Sequence, residues 1–373
     1  MGRRFFLSLL LVASLCYAAP VGAEDIYEVA PTFSPYSAGR VKKSVLEAAL
    51  TEVNAIRKLA GVSDNVTLSD DFTNKAQHGA VLMDANDVLS HTPAKPDDMP
   101  REFYELGYEA TSHGNIHSEW TSQNGVKTGT NITLQSSLKG WMDDKQAYNL
   151  PTVGHRRWIL NPRMKQTGFG ISTRRGYSVM YVIEDHSSMT YEEWQEFLKW
   201  PIADEFIAWP VKSEHPLSRF DSEVPWSVSL CRAIFEECDK NAVSVKLTRE
   251  GGGTWNFSAA QSDGYFNLSP SSYAYDECII FRPDNVSYQN GETWTVEISG
   301  LKRKDSDESV TLSYITTFSG SSANNGGGNG PSGNGNNSGG RSGKEDAGSG
   351  CNTARGGLAG LSVLALALKR KRA

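Results

Sequence analysis

Of the seven histidines in this 373-residue chain, six (His78, His91, His113, His117, His155 and His186) fall between positions 78 and 186. That crowding confines imidazole chemistry to the first half of the chain and leaves His215 outside it. The most informative stretch reads Gly140-Trp-Met-Asp-Asp-Lys, then Val153-Gly-His-Arg-Arg-Trp-Ile-Leu-Asn-Pro, then Thr167-Gly-Phe-Gly-Ile. It places carboxylates near a helix end, a histidine in a glycine-containing loop and an edge into a strand, the raw material for imidazole–carboxylate chemistry. Other chemistries are set aside. No Gly-x-Ser-x-Gly elbow presents a serine, and no His-Glu-x-x-His pair marks a zinc helix. Between Cys16 and Cys231 the chain has no cysteine, which argues against a Cys–His nucleophile.

Local context separates the remaining candidates. His78 beside polar Gln77, His186 and His215 read as surface or loop residues. His117 and Glu119 sit in the polar run His117-Ser-Glu-Trp-Thr-Ser-Gln-Asn-Gly, which reads as loop rather than site. Arg156-Arg157-Trp158 reads as packing and ion-pair structure, because a guanidinium fork fastens loops well.

The elements that must position these residues follow from apolar spacing. Val41, Val45, Leu46, Ala49, Leu50, Val53, Ile56 and Leu59 recur at three- and four-residue intervals with Gly61 as a stop, predicting an amphipathic helix. A second helix is expected after Ser69 or Asp70 with Phe72, Ala76, Ala80 and Met83 on one face. A third follows Pro100 with Phe103 and Leu106 inward, and a fourth spans about Thr133 to Asp144. After Pro162 the period drops to two. Phe169 and Ile171, then Tyr177, Val179, Tyr181 and Ile183, predict strands joined at Arg174-Arg175-Gly176. Helices first and strands last, without β-α-β alternation, indicate an α+β or layered α-β-α domain over residues 40–200, preceded by a lead segment 24–39.

Residues 208–318 are strand-like throughout. Trp226-Val228-Leu230, Val243-Val245-Leu247, Trp255-Phe257, Cys278-Ile280, Trp294-Val296-Ile298 and Leu312-Tyr314 alternate between turns. This predicts an all-β sandwich, immunoglobulin-like, with a barrel as the alternative. Cys231, Cys238 and Cys278 all lie here, and an exported chain can keep a disulfide. Of three single pairings, Cys231–Cys238 across the intervening loop is favoured, with Cys278 buried and free.

Both ends read as addresses. Arg3 and Arg4 precede an apolar run from Phe5 to about Leu15, and Val21-Gly22-Ala23 offers a small-residue cleavage site, so residues 1–23 read as a secretory signal peptide. Residues 319–350, rich in Gly, Asn and Ser, read as a disordered tether. Residues 351–373 hold Cys351, an apolar stretch Gly356–Leu368 and a basic end. As a helix that stretch spans only about 20 Å against a hydrocarbon core of about 30 Å, so it suits a signal better than an anchor. Its order of parts resembles bacterial C-terminal sorting tails of the Synerg-CTERM and MYXO-CTERM type, which implies envelope or membrane attachment; a plain short membrane tail is the alternative. Seven of the 37 basic residues sit in these two end segments, which hold none of the 43 acids. The body between them therefore carries 30 against 43, a net of −13. That charge argues against a protein that binds nucleic acid by neutralising phosphates.

Read together, Asn54-Ala-Ile-Arg57 with Gly61, Ser90-His91, Asn115-Ile116, Gly140-Trp141, Gly154-His155-Arg156 and Gly168-Phe169-Gly170 occur in order over about 145 residues. This ordered set resembles the CAP superfamily, the SCP-like group of cysteine-rich secretory, antigen 5 and pathogenesis-related-1 proteins. The resemblance implies a three-layer α-β-α sandwich and a cleft lined by two histidines and two acids, sometimes around a divalent metal. Carried over position by position, His91 and His155 take the histidine places, as metal ligands if zinc or another divalent cation binds, and Asp144 takes the second acid. The first acid belongs to a Gly-Glu-Asn-Ile motif, but here His113-Gly114-Asn115-Ile116 lacks the glutamate; Glu119 or His113 is the available substitute. Two imidazoles and one or two carboxylates could hold zinc with an open position, or form a hydrogen-bonded network that shapes a cleft. The expected function is an exported, surface-attached binding module for a lipid, peptide, polysaccharide or protein, more a binding protein than an enzyme. The alternative is a metal-dependent hydrolase, a peptidase or cell-wall enzyme, using His91, His155 and Asp144.

Overall fold

A computed structural model describes residues 26–320, apart from 124–125, 185, 187, 200, 271–272, 275 and 307–308. The readings of a signal peptide, a sorting tail and all but the first two residues of the tether lie outside the described residues. Among the described residues no helix is long and apolar enough to cross a membrane.

Four short strands lead in: β1 (Tyr27–Val29), β2 (Thr32–Phe33), β3 (Tyr36–Ser37) and β4 (Arg40–Val41). The three- and four-residue spacing then forms α1 (Lys43–Leu59), which buries Leu46, Ala49, Val53 and Ile56. Gly61 ends it in the left-handed region at φ 72°. After β5 (Thr67–Leu68), Ser69 caps α2 (Asp70–Asn86) by accepting from the Phe72 N–H at 3.3 Å. There follow α3 (Arg101–Ser112), β6 (Gly114–Ser118), β7 (Thr121–Gln123) and β8 (Val126–Gly129). A capping box of Thr133 and Ser136 starts α4 (Leu134–Asp143). The first half closes with α5 (Gly154–Ile159), β9 (Gln166–Ser172), β10 (Tyr177–Tyr181) and α6 (Tyr191–Phe197).

The central sheet runs β5-β9-β10-β6, antiparallel except for the β5–β9 pair. Alternation along its strands sorts two faces. Ile116, Tyr177, Val179 and Tyr181 pack with Ala76, Ala80, Met83 and Ala110 of α2 and α3, while Phe169, Ile171 and Met180 join the cluster containing α1 and α4. The result is a layered α-β-α arrangement with β6 at the edge. Gly170 permits the close approach of α2, since a Cβ there would stand 2.1 Å from the Ala76 carbonyl oxygen. Gln77, polar in sequence, faces inward: its amide donates to the Ala38 and Ile171 carbonyls and accepts from the Ile171 N–H.

The second half is built from β11 (Phe206–Trp209), β12 (Ser213–Pro216), β13 (Trp226–Leu230), β14 (Ser244–Arg249), β15 (Thr254–Ser258), β16 (Gly264–Ser269), β17 (Glu277–Pro283), β18 (Thr293–Lys302) and β19 (Ser309–Ser319). One sheet runs β11-β13-β17-β16, the other β12-β19-β18-β14-β15, with β12 parallel to β19. Large rings fill the space between them, Trp226 against Trp294 and Phe257 against Phe281, at centroid separations of 6.2 and 5.3 Å.

One apolar cluster runs from Val53 and Trp141 of the first half into Trp226 and Trp294 of the second. Buried arginines fasten the seam. Arg157 donates to Ser269 Oγ and to the carbonyls of Pro270, Tyr273 and Asp276, and Arg163 forms a bidentate pair with Asp276 at 2.7 and 3.3 Å. The favoured Cys231–Cys238 disulfide is not formed; all three described cysteines are free thiols. The Cys231 sulfur is held by the N–H groups of Ala233 and Ile234, whereas Cys238 faces the Glu277 carboxylate. His215 corrects the surface reading too, being fully buried in the second half.

Candidate functional site

The site is organised by the end of α4. Asp144 follows the helix in the left-handed region at φ 46°, its N–H donating to the Gly140 carbonyl at 3.1 Å. That turn carries the side chain inward, where it is fully buried. Its Oδ1 accepts from Nδ1 of His155 at 2.7 Å and its Oδ2 from the Arg156 N–H at 3.0 Å. Val153, a β-branched residue at φ 41°, starts α5 from a conformation such residues rarely adopt. The predicted glycine-containing loop around His155 is therefore a short helix with a strained entry, set so that His155 meets Asp144.

With Nδ1 turned to a carboxylate, the proton of neutral His155 resides there and Nε2 presents a lone pair. His155 is 1% exposed, and its Nε2 has no hydrogen-bond partner. Asn115 of β6 donates to the His155 carbonyl at 3.0 Å and ties α5 to the sheet edge.

Two residues further along β6, and therefore on the same face, lies His117. The polar run predicted as loop enters this strand, and His117 is 2% exposed. It fits because position 140 is glycine: a Cβ there would stand 2.9 Å from the His117 ring. The next residue, Trp141, fixes that spacing by donating its indole N–H to the Ile116 carbonyl at 3.0 Å. Nε2 of His117 lies 3.9 Å from the half-buried Glu119 carboxylate. Hydrogen bonding from His117, with a further bond from Ser136, holds the Glu119 carboxyl below its ordinary range.

His91 is anchored elsewhere. Its Nδ1 meets the Thr111 carbonyl at 2.6 Å, and the Thr111 hydroxyl returns a bond to the His91 carbonyl at 3.2 Å. Those bonds tie it to the last turn of α3. The structure thus joins Asp144 to His155 directly, sets His117 beside Glu119, and ties His91 to Thr111. Among the described residues no three His, Cys, Asp or Glu side chains are grouped to hold a metal ion. Each Asp144 oxygen accepts one hydrogen bond, Oδ1 from His155 and Oδ2 from the Arg156 N–H.

The missing acid has a steric cause. At Gly114, which precedes Asn115, a Cβ would meet the Ala110 carbonyl oxygen at 2.6 Å and Val179 Cγ1 at 2.8 Å. No side chain fits, so a glutamate has no place there. His113 does not replace it, because its Nδ1 turns back to the Glu109 carbonyl at 2.9 Å and its ring stacks on Tyr181. Glu119 is the acid that reaches this side of the sheet. Sequence reasoning passed over His117; the Gly140-Trp141 pair was the available signal, one residue giving room and the other anchoring.

Searches of curated proteins and of solved structures gave no match. Residues 50–184 match the family model for CAP, the cysteine-rich secretory protein family, and this match supports the CAP superfamily for the segment that carries the Asp144–His155 pair and the His117–Glu119 edge.

Proposed function

We propose that this chain is an exported, surface-attached binding module whose recognition site centres on Nε2 of His155, with His117 at the end of β6 and Glu119 just past it. The observation that carries this reading is an imidazole locked by a buried carboxylate yet left with one unpartnered nitrogen, a costly arrangement unless something is bound there. The ligand class stays as wide as a lipid, peptide, polysaccharide or protein. Export and envelope attachment rest on the two end segments of the sequence and on the secreted habit of the CAP family. The strand order of the second half, four strands facing five with β12 parallel to β19, supports the immunoglobulin-like reading.

A metal-dependent hydrolase is the rival reading, favoured by one feature: a carboxylate on Nδ1 is what orients an imidazole and raises its basicity toward a cation at Nε2. Against it stands the absence, among the described residues, of three His, Cys, Asp or Glu side chains grouped to hold a metal ion. The full chain should be titrated with Zn²⁺ while its melting temperature is followed, and offered separately to purified envelope polysaccharide, lipid vesicles and a peptide library. The expected result is capture of one of these, weakened about tenfold or more by His155→Ala and by Glu119→Gln, with no zinc-linked rise in melting temperature. Capture indifferent to both substitutions, or no capture, overturns the binding reading. A zinc-linked rise abolished by His91→Ala with His155→Ala, together with peptide or ester turnover, establishes the rival.

A further inference from the structure

A hollow lies where α1, α4 and the second half of the chain meet. It encloses about 210 Å³, more than the roughly 150 Å³ that admits a benzene ring. Its apolar lining comes from Ile56, Leu138, Met142 and Trp209. The indole N–H of Trp209 is buried with no partner. Around the lining stand two acids and two bases arranged as two ion pairs, Arg219 with Glu52 at 2.5 Å and Lys139 with Asp143 at 2.6 Å. Burial raises the Asp143 carboxyl above its ordinary range despite Lys139.

We propose that this junction cavity binds a small zwitterion with an apolar side chain, a free α-amino acid of the leucine or phenylalanine kind. The carboxylate would bridge Arg219 and Lys139, the ammonium Glu52 and Asp143, and the side chain would cover the Trp209 wall. An anion alone would face the two acids and a cation alone the two bases, so a ligand carrying both charges is the one this rim complements. Part of the wall, Trp209, Ser218 and Arg219, comes from the second half of the chain, which makes the site a property of both halves together.

Calorimetric titration of the full chain with L-leucine and L-phenylalanine tests this, run beside their amides, which lack the carboxylate, and their N-acetyl forms, which lack the ammonium. Saturable binding of the free amino acids is expected, with each blocked form weaker by about tenfold or more. Gln135→Trp and Ser218→Trp, placed at exposed positions on opposite walls, should each abolish binding while leaving the melting temperature unchanged. Equal binding of the blocked forms overturns the proposal in favour of a purely apolar hollow. Absence of saturable binding, or binding that survives both tryptophan substitutions, overturns it altogether.

Discussion

Arg156→Met will cost about 3–5 kcal/mol of folding stability, and Arg156→Lys will recover little of it. The Arg156 side chain is almost wholly buried. Its Nε donates to the Met142 carbonyl, Nη2 to the Asp143 carbonyl, and Nη1 to the Pro225 carbonyl and Ser227 Oγ, at 2.7 to 2.9 Å. Burial draws its pKa down to about 10, so the guanidinium remains charged at neutral pH. Methionine fills much of the same space but leaves four buried acceptors without donors. Lysine brings one nitrogen where three are used, and cannot span from the end of α4 to β13.

The same residue couples stability to the site. Two of its acceptors are the last carbonyls of α4, the turn that delivers Asp144, and its backbone N–H holds Asp144 Oδ2. Loss of the side chain should therefore loosen Asp144 and weaken ligand capture alongside the fall in stability. Ser227→Ala removes only one of the guanidinium's four acceptors, on the far side of the seam, and should cost about 1.5 kcal/mol with capture intact. Denaturant midpoints for the three variants, read with the capture assay, decide the matter. An Arg156→Met protein as stable as its parent would show the seam to be held by apolar contact alone.

Helix α1 was legible because it is covered on one side only. In α1 the buried positions Leu46, Ala49, Val53 and Ile56 repeat the sequence period. The strand β6 was not legible because Ile116 is its single apolar side chain: all five residues are buried, but Gly114, Asn115, His117 and Ser118 leave no apolar alternation to read. His117 accordingly looked like part of a polar loop. The pairing of Asp144 with His155 was reachable through the ordered CAP-like motifs, whereas the burial of both residues and the bonds to both Asp144 oxygens arise from helix ends that spacing does not describe. In the second half the alternating strands could be read. The edge strand β16, half-buried at five of its six positions, could not. The cysteines failed for a related reason, since separation along the chain does not say which way two sulfurs point.

Below about pH 6.5 the folded chain will lose stability at up to about 1.4 kcal/mol per pH unit on account of His215, reaching roughly 3–5 kcal/mol near pH 3. No local signal marked this residue, because its surroundings are assembled from distant segments. Trp209, Phe220 and Phe318 stand edge-on to it at 4.6, 5.8 and 6.0 Å. Its Nδ1 accepts from the Val211 N–H at 3.2 Å, which puts the proton of the neutral ring on Nε2. Burial, reinforced by the charges of Arg219 and Arg156, pushes its pKa down to about 3. A folded-state value below the unfolded one means that between pH 6.5 and 3 the unfolded chain takes up a proton that the folded chain refuses. Stability is thus fully present above pH 6.5 and is withdrawn as the medium is acidified. Carboxylates also titrate in this interval, so the test is a difference between proteins. His215→Asn keeps an acceptor for Val211 but no group that titrates; it should be less stable at neutral pH, by about 2 kcal/mol for the space it leaves, and its stability should fall less steeply from pH 6.5 to 4. Parallel slopes for the two proteins would mean that His215 protonates as readily inside its aromatic box as outside, and that the enclosure does not exclude charge.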